Sequence, residues 1–171
     1  MQRLWAPWRS QYLKSFEEPT ADDEKGCFLC AAAHHPEQDA QRYVVYRGKG
    51  AFVILNLYPY NGGHIMVAPY EHVAALEHLN LDAYQSLCTL LRDAIAVLKE
   101  EFHPDGLNVG ANLGRVAGAG LPDHVHFHIV PRWSGDTNFM PVLADTKVVS
   151  QSLEEIYHRL HQAFQRYYHR Q

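Results

Sequence analysis

The stretch His124-Val125-His126-Phe127-His128-Ile129-Val130 decides how this chain is read. Histidines two residues apart share a face only in extended backbone, where successive side chains alternate between the two sides of a sheet. The pattern predicts a strand over 124–130, with Val125, Phe127 and Ile129 turned inward and three imidazoles outward. Same-face neighbours on a strand lie about 7 Å apart, so His124 and His128 stand roughly 13 Å from each other and the three rings do not converge on one atom. The histidines must therefore divide labour. A neutral imidazole is a fair nucleophile at neutral pH, because its ordinary pKa of about 6.5 leaves most of it unprotonated there. His126, in the middle, is the candidate nucleophile toward a phosphoryl or nucleotidyl group, provided its other ring nitrogen is held as a donor. His128 is the candidate donor to a non-bridging oxygen or the leaving group, and His124 keeps a structural or donor role. Solvated strand faces also carry polar residues for no chemical reason, and paired histidines bind zinc, so the triad alone leaves those readings open.

Outward from this stretch, apolar and β-branched runs at Tyr43 to Arg47, Ala51 to Asn56 and His64 to Ala68 are separated by Gly48, Gly50 and Asn61-Gly62-Gly63. They read as an antiparallel meander. Asn80 is a candidate N-cap, followed at helical spacing by Tyr84, Leu87, Cys88, Leu91, Ile95, Leu98 and Phe102 until Pro104. Leu107 to Asn112 reads as a fourth strand beside the histidine strand, where Pro131 denies a further ladder donor. Ser152-Leu153-Glu154-Glu155 has the form of a capping box. Leu153, Ile156, Tyr157, Leu160, Phe164 and Tyr167 trace one face of a closing helix, with His158, His161 and His169 on its solvated side. The fold class is α+β, with an antiparallel sheet of about five strands, one long helix and a C-terminal helix. Residues 1–42 read as an N-terminal arm, packed by its tryptophans and followed by the charged run Asp22-Asp23-Glu24-Lys25; residues 43–171 read as the catalytic domain, the two forming one globular unit.

With 171 residues, 47% hydrophobic and 20% charged, the chain has the size of one ordinary domain. A net charge of -4 supplies no basic field, which argues against a duplex nucleic-acid partner. No apolar run is long enough to cross a bilayer, and Met1 to Ser10 lacks a signal-peptide core, so a cytoplasmic protein without a membrane partner is expected. The three cysteines suit a reducing compartment better than a disulfide framework. The pair Cys27-Phe28-Leu29-Cys30 is by itself open to redox, metal-binding or inert readings.

The loop Gly114-Arg115-Val116-Ala117-Gly118-Ala119-Gly120 directly precedes the triad. Small residues let backbone approach a ligand, and consecutive N–H groups cradle anions, so Gly118 and Gly120 are candidate phosphate contacts. Arg115 is the nearest loop cation for a distal phosphate.

These motifs, together with Asn56-Leu57-Tyr58-Pro59-Tyr60-Asn61-Gly62-Gly63-His64, Asn108 to Gly120 and Pro131 to Phe139, resemble the histidine triad superfamily of nucleotide hydrolases and transferases. The likeness is greatest to its fragile-histidine-triad branch and to bacterial proteins acting on diadenosine tetraphosphate, some phosphorylases and some hydrolases. The resemblance implies cleavage of a dinucleoside polyphosphate at the α-phosphate through a nucleotidyl-histidine intermediate, with water or phosphate as acceptor and no redox cofactor. It matches Asn112 to an amide residue near the scissile phosphate, one residue further from the triad than in the fragile-type pattern. A Gly-Gln-Ser-like element of many relatives is replaced by Ala119-Gly120-Leu121-Pro122-Asp123. It further implies that Asn56 contacts ribose, that His64 lines the pocket and that Phe52 and Ile54 wall the base. Zinc-bearing relatives imply a structural zinc on Cys27, Cys30, His72 and His124, and the family implies a homodimer. Nucleoside phosphoramidate hydrolysis and a nucleotide-binding interaction module with little turnover are the alternatives.

Overall fold

The long helix begins where Asn80 folds its side chain over the first turn and accepts the Ala83 N–H at 2.9 Å, satisfying a donor that the helix itself leaves unpaired. Helix α2 then runs Leu81–Phe102 and ends at His103, whose left-handed backbone (φ 46°) lets its N–H reach the Lys99 carbonyl just before Pro104. The computed structural model describes residues 26–136 and 151–170. Around α2 are a short α1 (Phe28–His34), β1 (Val44–Arg47), β2 (Ala51–Leu55), β3 (Ile65–Pro69), β4 (Gly106–Gly110), β5 (Phe127–Arg132) and the closing helix α3 (Leu153–His169). The strands form one antiparallel sheet in the order β1-β2-β3-β5-β4, the α+β class and strand number expected. The tryptophan-bearing arm, the charged run 22–25 and the end of the Pro131–Phe139 motif lie outside the described residues.

Strands β2 and β3 are buried along their whole length because both faces of the sheet are covered. Val45, Val53, Leu55, Ile65, Val67 and Ile129 pack against Leu87, Leu90, Ala94, Val97 and Leu98 of α2 and Ile156, Leu160 and Phe164 of α3. On the opposite face Val44, Phe52, Ile54, Met66 and Ala68 pack against Leu29, Cys30, Ala32 and Ala33 of α1. Register makes Val44, Ile54, Met66, His128 and Gly110 one continuous cross-strand row on this second face.

Helix α3 carries the capping box anticipated at its start: Ser152 Oγ accepts the Glu155 N–H and the Glu155 carboxylate accepts the Ser152 N–H. The buried Asp93 of α2 fixes its far end, accepting hydrogen bonds from Tyr168 Oη at 2.8 Å and Tyr167 Oη at 3.4 Å. Burial and the adjacent carboxylate push the Tyr168 hydroxyl well above its ordinary pKa.

Three expectations are revised. The histidine strand starts at Phe127 rather than at His124, and it continues through Pro131 to Arg132. The proline is tolerated because β3 has its last pair at Ile65↔Ile129, leaving β5 flanked there by β4 alone. Helix α2 buries Ala83, Leu90, Ala94 and Val97 beside Leu87 and Leu98, while Tyr84 stays 41% exposed. Its sequence is apolar over a wider arc than the core covers. His161, expected on the solvated side of α3, is half-buried, donates from Nδ1 to the Val45 carbonyl at 3.0 Å and stacks on Tyr157.

Candidate active site and metal centre

Main-chain carbonyls settle which nitrogen of each triad histidine carries its proton. A carbonyl only accepts, so a ring nitrogen facing one must be protonated. His126 Nδ1 lies 2.8 Å from the His124 carbonyl and donates to it, which leaves Nε2 of the neutral ring with its lone pair exposed for chemistry. His124 Nε2 lies 3.0 Å from the Pro69 carbonyl and donates there, which leaves its Nδ1 unprotonated. Burial drives the His124 pKa down to about 4 against the opposing pull of the Pro69 hydrogen bond. It lowers His126 as well, against the bond to the His124 carbonyl, so both imidazoles are neutral at physiological pH.

The third histidine takes its tautomer from a residue outside the triad. The Tyr60 N–H donates to His64 Nδ1 at 3.1 Å, so neutral His64 carries its proton on Nε2. That Nε2 lies 3.0 Å from His128 Nδ1 and donates to it, so neutral His128 carries its proton on Nε2. The His126 and His128 rings meet edge to face at 4.9 Å. One imidazole thus offers a lone pair and its neighbour an N–H, the nucleophile and donor pair that group transfer requires. His64 is fully buried beneath this pair, and Asn56, also buried, accepts the Tyr58 N–H on Oδ1 and sets its amide 3.4 Å from both His64 ring nitrogens. Both therefore brace the reacting pair in this structure.

His124 turns its ring the other way. Its Nδ1 lies 3.4 Å from Cys27 Sγ and 3.5 Å from Cys30 Sγ, and Cys30 Sγ lies 3.0 Å from His72 Nδ1. The four ligand atoms fall within 4.8 Å of one another, and a tetrahedral Cys2His2 zinc site requires separations of about 3.5–4 Å. The ligands are themselves held: the Cys30 N–H points at Cys27 Sγ, and the Pro69 carbonyl orients His124. The donor set fits zinc. Arg47 holds the helix bearing Cys30 against the sheet, forking onto Asp39 and donating to the Ala32 and Ala33 carbonyls at the end of α1.

The glycine loop differs from the expected cradle. Arg115–Ala117 form a 3-10 turn in which the Ala117 and Ala119 N–H groups go to the Gly114 carbonyl and the Gly118 N–H to Arg115. Those three donors are engaged within the loop, and Asn112 Nδ2 braces it at the Gly118 carbonyl, 3.4 Å away. Gly120 is half-buried and Arg115 exposed. Phe52 and Ile54 are core residues; Phe52 is fully buried, stacked on Tyr70 beneath the Arg47 guanidinium. Opposite His128 on β4 stands Gly110, where the methyl of an alanine would meet no atom of the described residues within 4 Å. Sequence reasoning missed Tyr60, Arg47 and Gly110. Only the glycine carried a signal, as a side-chain-free residue inside a strand.

The sheet order and the split histidine row define a histidine-triad fold. The HIT domain family model matches residues 37–135, and the chain belongs to that family. It is 42% identical over 158 residues to the AP-4-A phosphorylase of Mycobacterium tuberculosis, covering 91% of this chain and 80% of that protein. It is 36% identical over 93 residues to the asymmetrical bis(5'-nucleosyl)-tetraphosphatase of Schizosaccharomyces pombe, covering 54% of this chain and 50% of that protein. Among solved structures, a hypothetical histidine triad nucleotide-binding protein from Sulfolobus tokodaii superposes with a TM-score of 0.65 at 26% identity, covering 84% of this chain and 93% of that one. A Zn-bound histidine triad family protein from Mycobacterium smegmatis superposes with a TM-score of 0.67 at 24% identity, covering 85% and 97%.

Proposed function

We propose that this HIT-family enzyme transfers a nucleotidyl group from a dinucleoside polyphosphate of the diadenosine tetraphosphate kind. The observation that carries the reading is the His126 Nδ1–H donated to the His124 carbonyl, since it leaves Nε2 of the neutral ring unprotonated beside the His128 ring. In the first half-reaction Nε2 forms a bond to the α-phosphorus while the bond to the bridging oxygen breaks, and the polyphosphate leaves with His128 Nε2–H stabilising its oxygen. In the second, water or inorganic phosphate attacks the nucleotidyl-histidine and restores the lone pair. Asn112 and the backbone of Gly120 serve the phosphate chain, with Gly118 shaping the loop and Arg115 available to its distal end. Asn56 and His64 support the reacting pair from behind.

The M. tuberculosis relative, similar along most of both chains and named a phosphorylase, favours phosphate as the acceptor. Cys27, Cys30, His72 and His124 hold a zinc ion that braces α1 against the reactive row. A second copy of the chain covers the edge strand β4 and the apolar flank of α2 that the core leaves open, where Val109 is 43% and Leu81 67% exposed.

The test is turnover of diadenosine tetraphosphate by wild type and His126→Ala, with and without inorganic phosphate. ADP plus ATP formed only with phosphate identifies a phosphorylase; AMP plus ATP identifies a hydrolase. Turnover equal in the mutant, or none in wild type, would overturn the proposal.

A further inference from the structure

The tyrosine that fixes the His64 tautomer also lays its ring on both histidines of the donor pair. The Tyr60 ring centroid lies 4.8 Å from His64 at 37° and 6.1 Å from His128 at 33°, and the two imidazole centroids are 5.1 Å apart. The tyrosine thus lies closer to His64 than to His128, on one side of the seam where His64 Nε2–H meets His128 Nδ1. Among the described residues no other aromatic ring contacts both. Tyr60 is itself 43% exposed: its ring is tilted against the two imidazoles, and part of it meets solvent.

This arrangement has a chemical consequence. His128 presents an N–H from Nε2 while His64 donates to its Nδ1; a water inserted at that seam could donate or accept, and this constraint on the His128 tautomer would be lost. An apolar ring over a hydrogen bond excludes water and strengthens the bond through the lower local dielectric. Two parts of one residue act on two ends of the same chain, for the main-chain N–H selects the His64 tautomer and the ring preserves its transmission to His128.

We infer that Tyr60 is a positioning residue that holds His128 in its donor tautomer by sealing the His64–His128 hydrogen bond. The inference rests on the proposed role of His128 as donor to the leaving group. The main-chain N–H survives any substitution except proline, so the ring can be tested separately. Tyr60→Phe keeps the seal, Tyr60→Leu keeps apolar bulk without a ring, and Tyr60→Ala opens the seam; because Tyr60 is an exposed loop residue, all three variants are expected to fold.

Long-range proton–nitrogen NMR on 15N-labelled protein reads the His64 and His128 tautomers and the exchange of the shared proton, without requiring turnover. Kinetics on diadenosine tetraphosphate supply the second readout. Tyr60→Phe should match wild type within about twofold, and Tyr60→Leu should fall between the other two variants. Tyr60→Ala should exchange the shared proton at least about tenfold faster, show mixed His128 tautomers and lose roughly 10- to 100-fold in kcat with KM little changed, a part of the full effect of a positioned acid. Unchanged proton exchange and tautomers in Tyr60→Ala would overturn the inference. So would a raised KM at constant kcat, which would make the ring a substrate contact, or a Tyr60→Phe variant as impaired as Tyr60→Ala. Because the NMR readout is independent of catalysis, a wild type without turnover would overturn the nucleotidyl-transfer reading while the seal is still decided.

Discussion

Replacing Arg47 with methionine should loosen the helix that carries Cys30 while leaving the sheet intact. The guanidinium makes a bidentate pair with Asp39 (Nε–Oδ2 2.9 Å, Nη2–Oδ1 2.6 Å) and donates to the Ala33 and Ala32 carbonyls at 3.1 and 2.5 Å. Those carbonyls end α1 and lack partners inside the helix, so Arg47 also serves as its C-terminal cap. Hydrogen bonds to charged groups contribute about 1.5–3 kcal/mol each when buried and exposed pairs about 0–1. The Arg47 and Asp39 side chains are 21% and 30% exposed, which places the pair between those limits. Methionine retains the packing of the stem, so the net cost comes to about 3 kcal/mol, or roughly 6–12 °C in Tm for a domain of this length. The assay is urea unfolding in excess chelator, so that metal linkage does not enter, together with amide exchange across Leu29 to Ala33. A double-mutant cycle with Asp39→Ala should return a coupling of at least about 1 kcal/mol, and Arg47→Lys should recover less than half the loss because an ammonium cannot fork. A loss below about 0.5 kcal/mol, or a coupling near zero, would refute the clamp.

Chelation of purified protein should remove one zinc per chain by elemental analysis and lower stability by about 2–3 kcal/mol relative to metal at a hundredfold excess over Kd. Turnover should survive in part, because the His124 carbonyl and the Pro69 and Val73 carbonyls that hold this segment are main-chain groups; activity lost entirely and at once would contradict this. Asp93→Ala strands the hydroxyls of Tyr167 and Tyr168 and should cost about 1–3 kcal/mol in urea unfolding, with Asp93→Asn costing less. Equal stability of wild type and Asp93→Ala would refute that role.

The fold was legible where side-chain chemistry and spacing agree. Asn80 and Ser152 announced their helices because a capping side chain acts on backbone within its own turn, and the run Ala51 to Asn56 announced a strand by its composition. The geometry of the triad was less legible: alternation correctly set Val125 and Ile129 inside, but the backbone at Val125 hydrogen-bonds to Val73 instead of joining the ladder, and a partner 52 positions away in sequence leaves no local trace. Arg47 and Tyr60 were hidden because their roles depend on carbonyls and imidazoles from other elements. His64 was singled out through resemblance alone, because its hydrogen bond to His128 spans 64 positions and leaves no local trace. Helix α2 showed the limit of periodicity, since two adjacent apolar stripes leave open which one faces the sheet.

The row that crosses the sheet through Val44, Ile54, Met66 and His128 ends at Gly110, so the surface drops by one side chain immediately beside the histidine. On the low side of that step the boundary is main chain, pinned by its ladder to β5. Side chains rotate among rotamers in picoseconds to nanoseconds, and a wall made of them breathes on that timescale, whereas a ledge of paired backbone moves only with its strand. The space next to His128 is thus dimensioned by strand spacing, a quantity that hardly varies from one sheet to another.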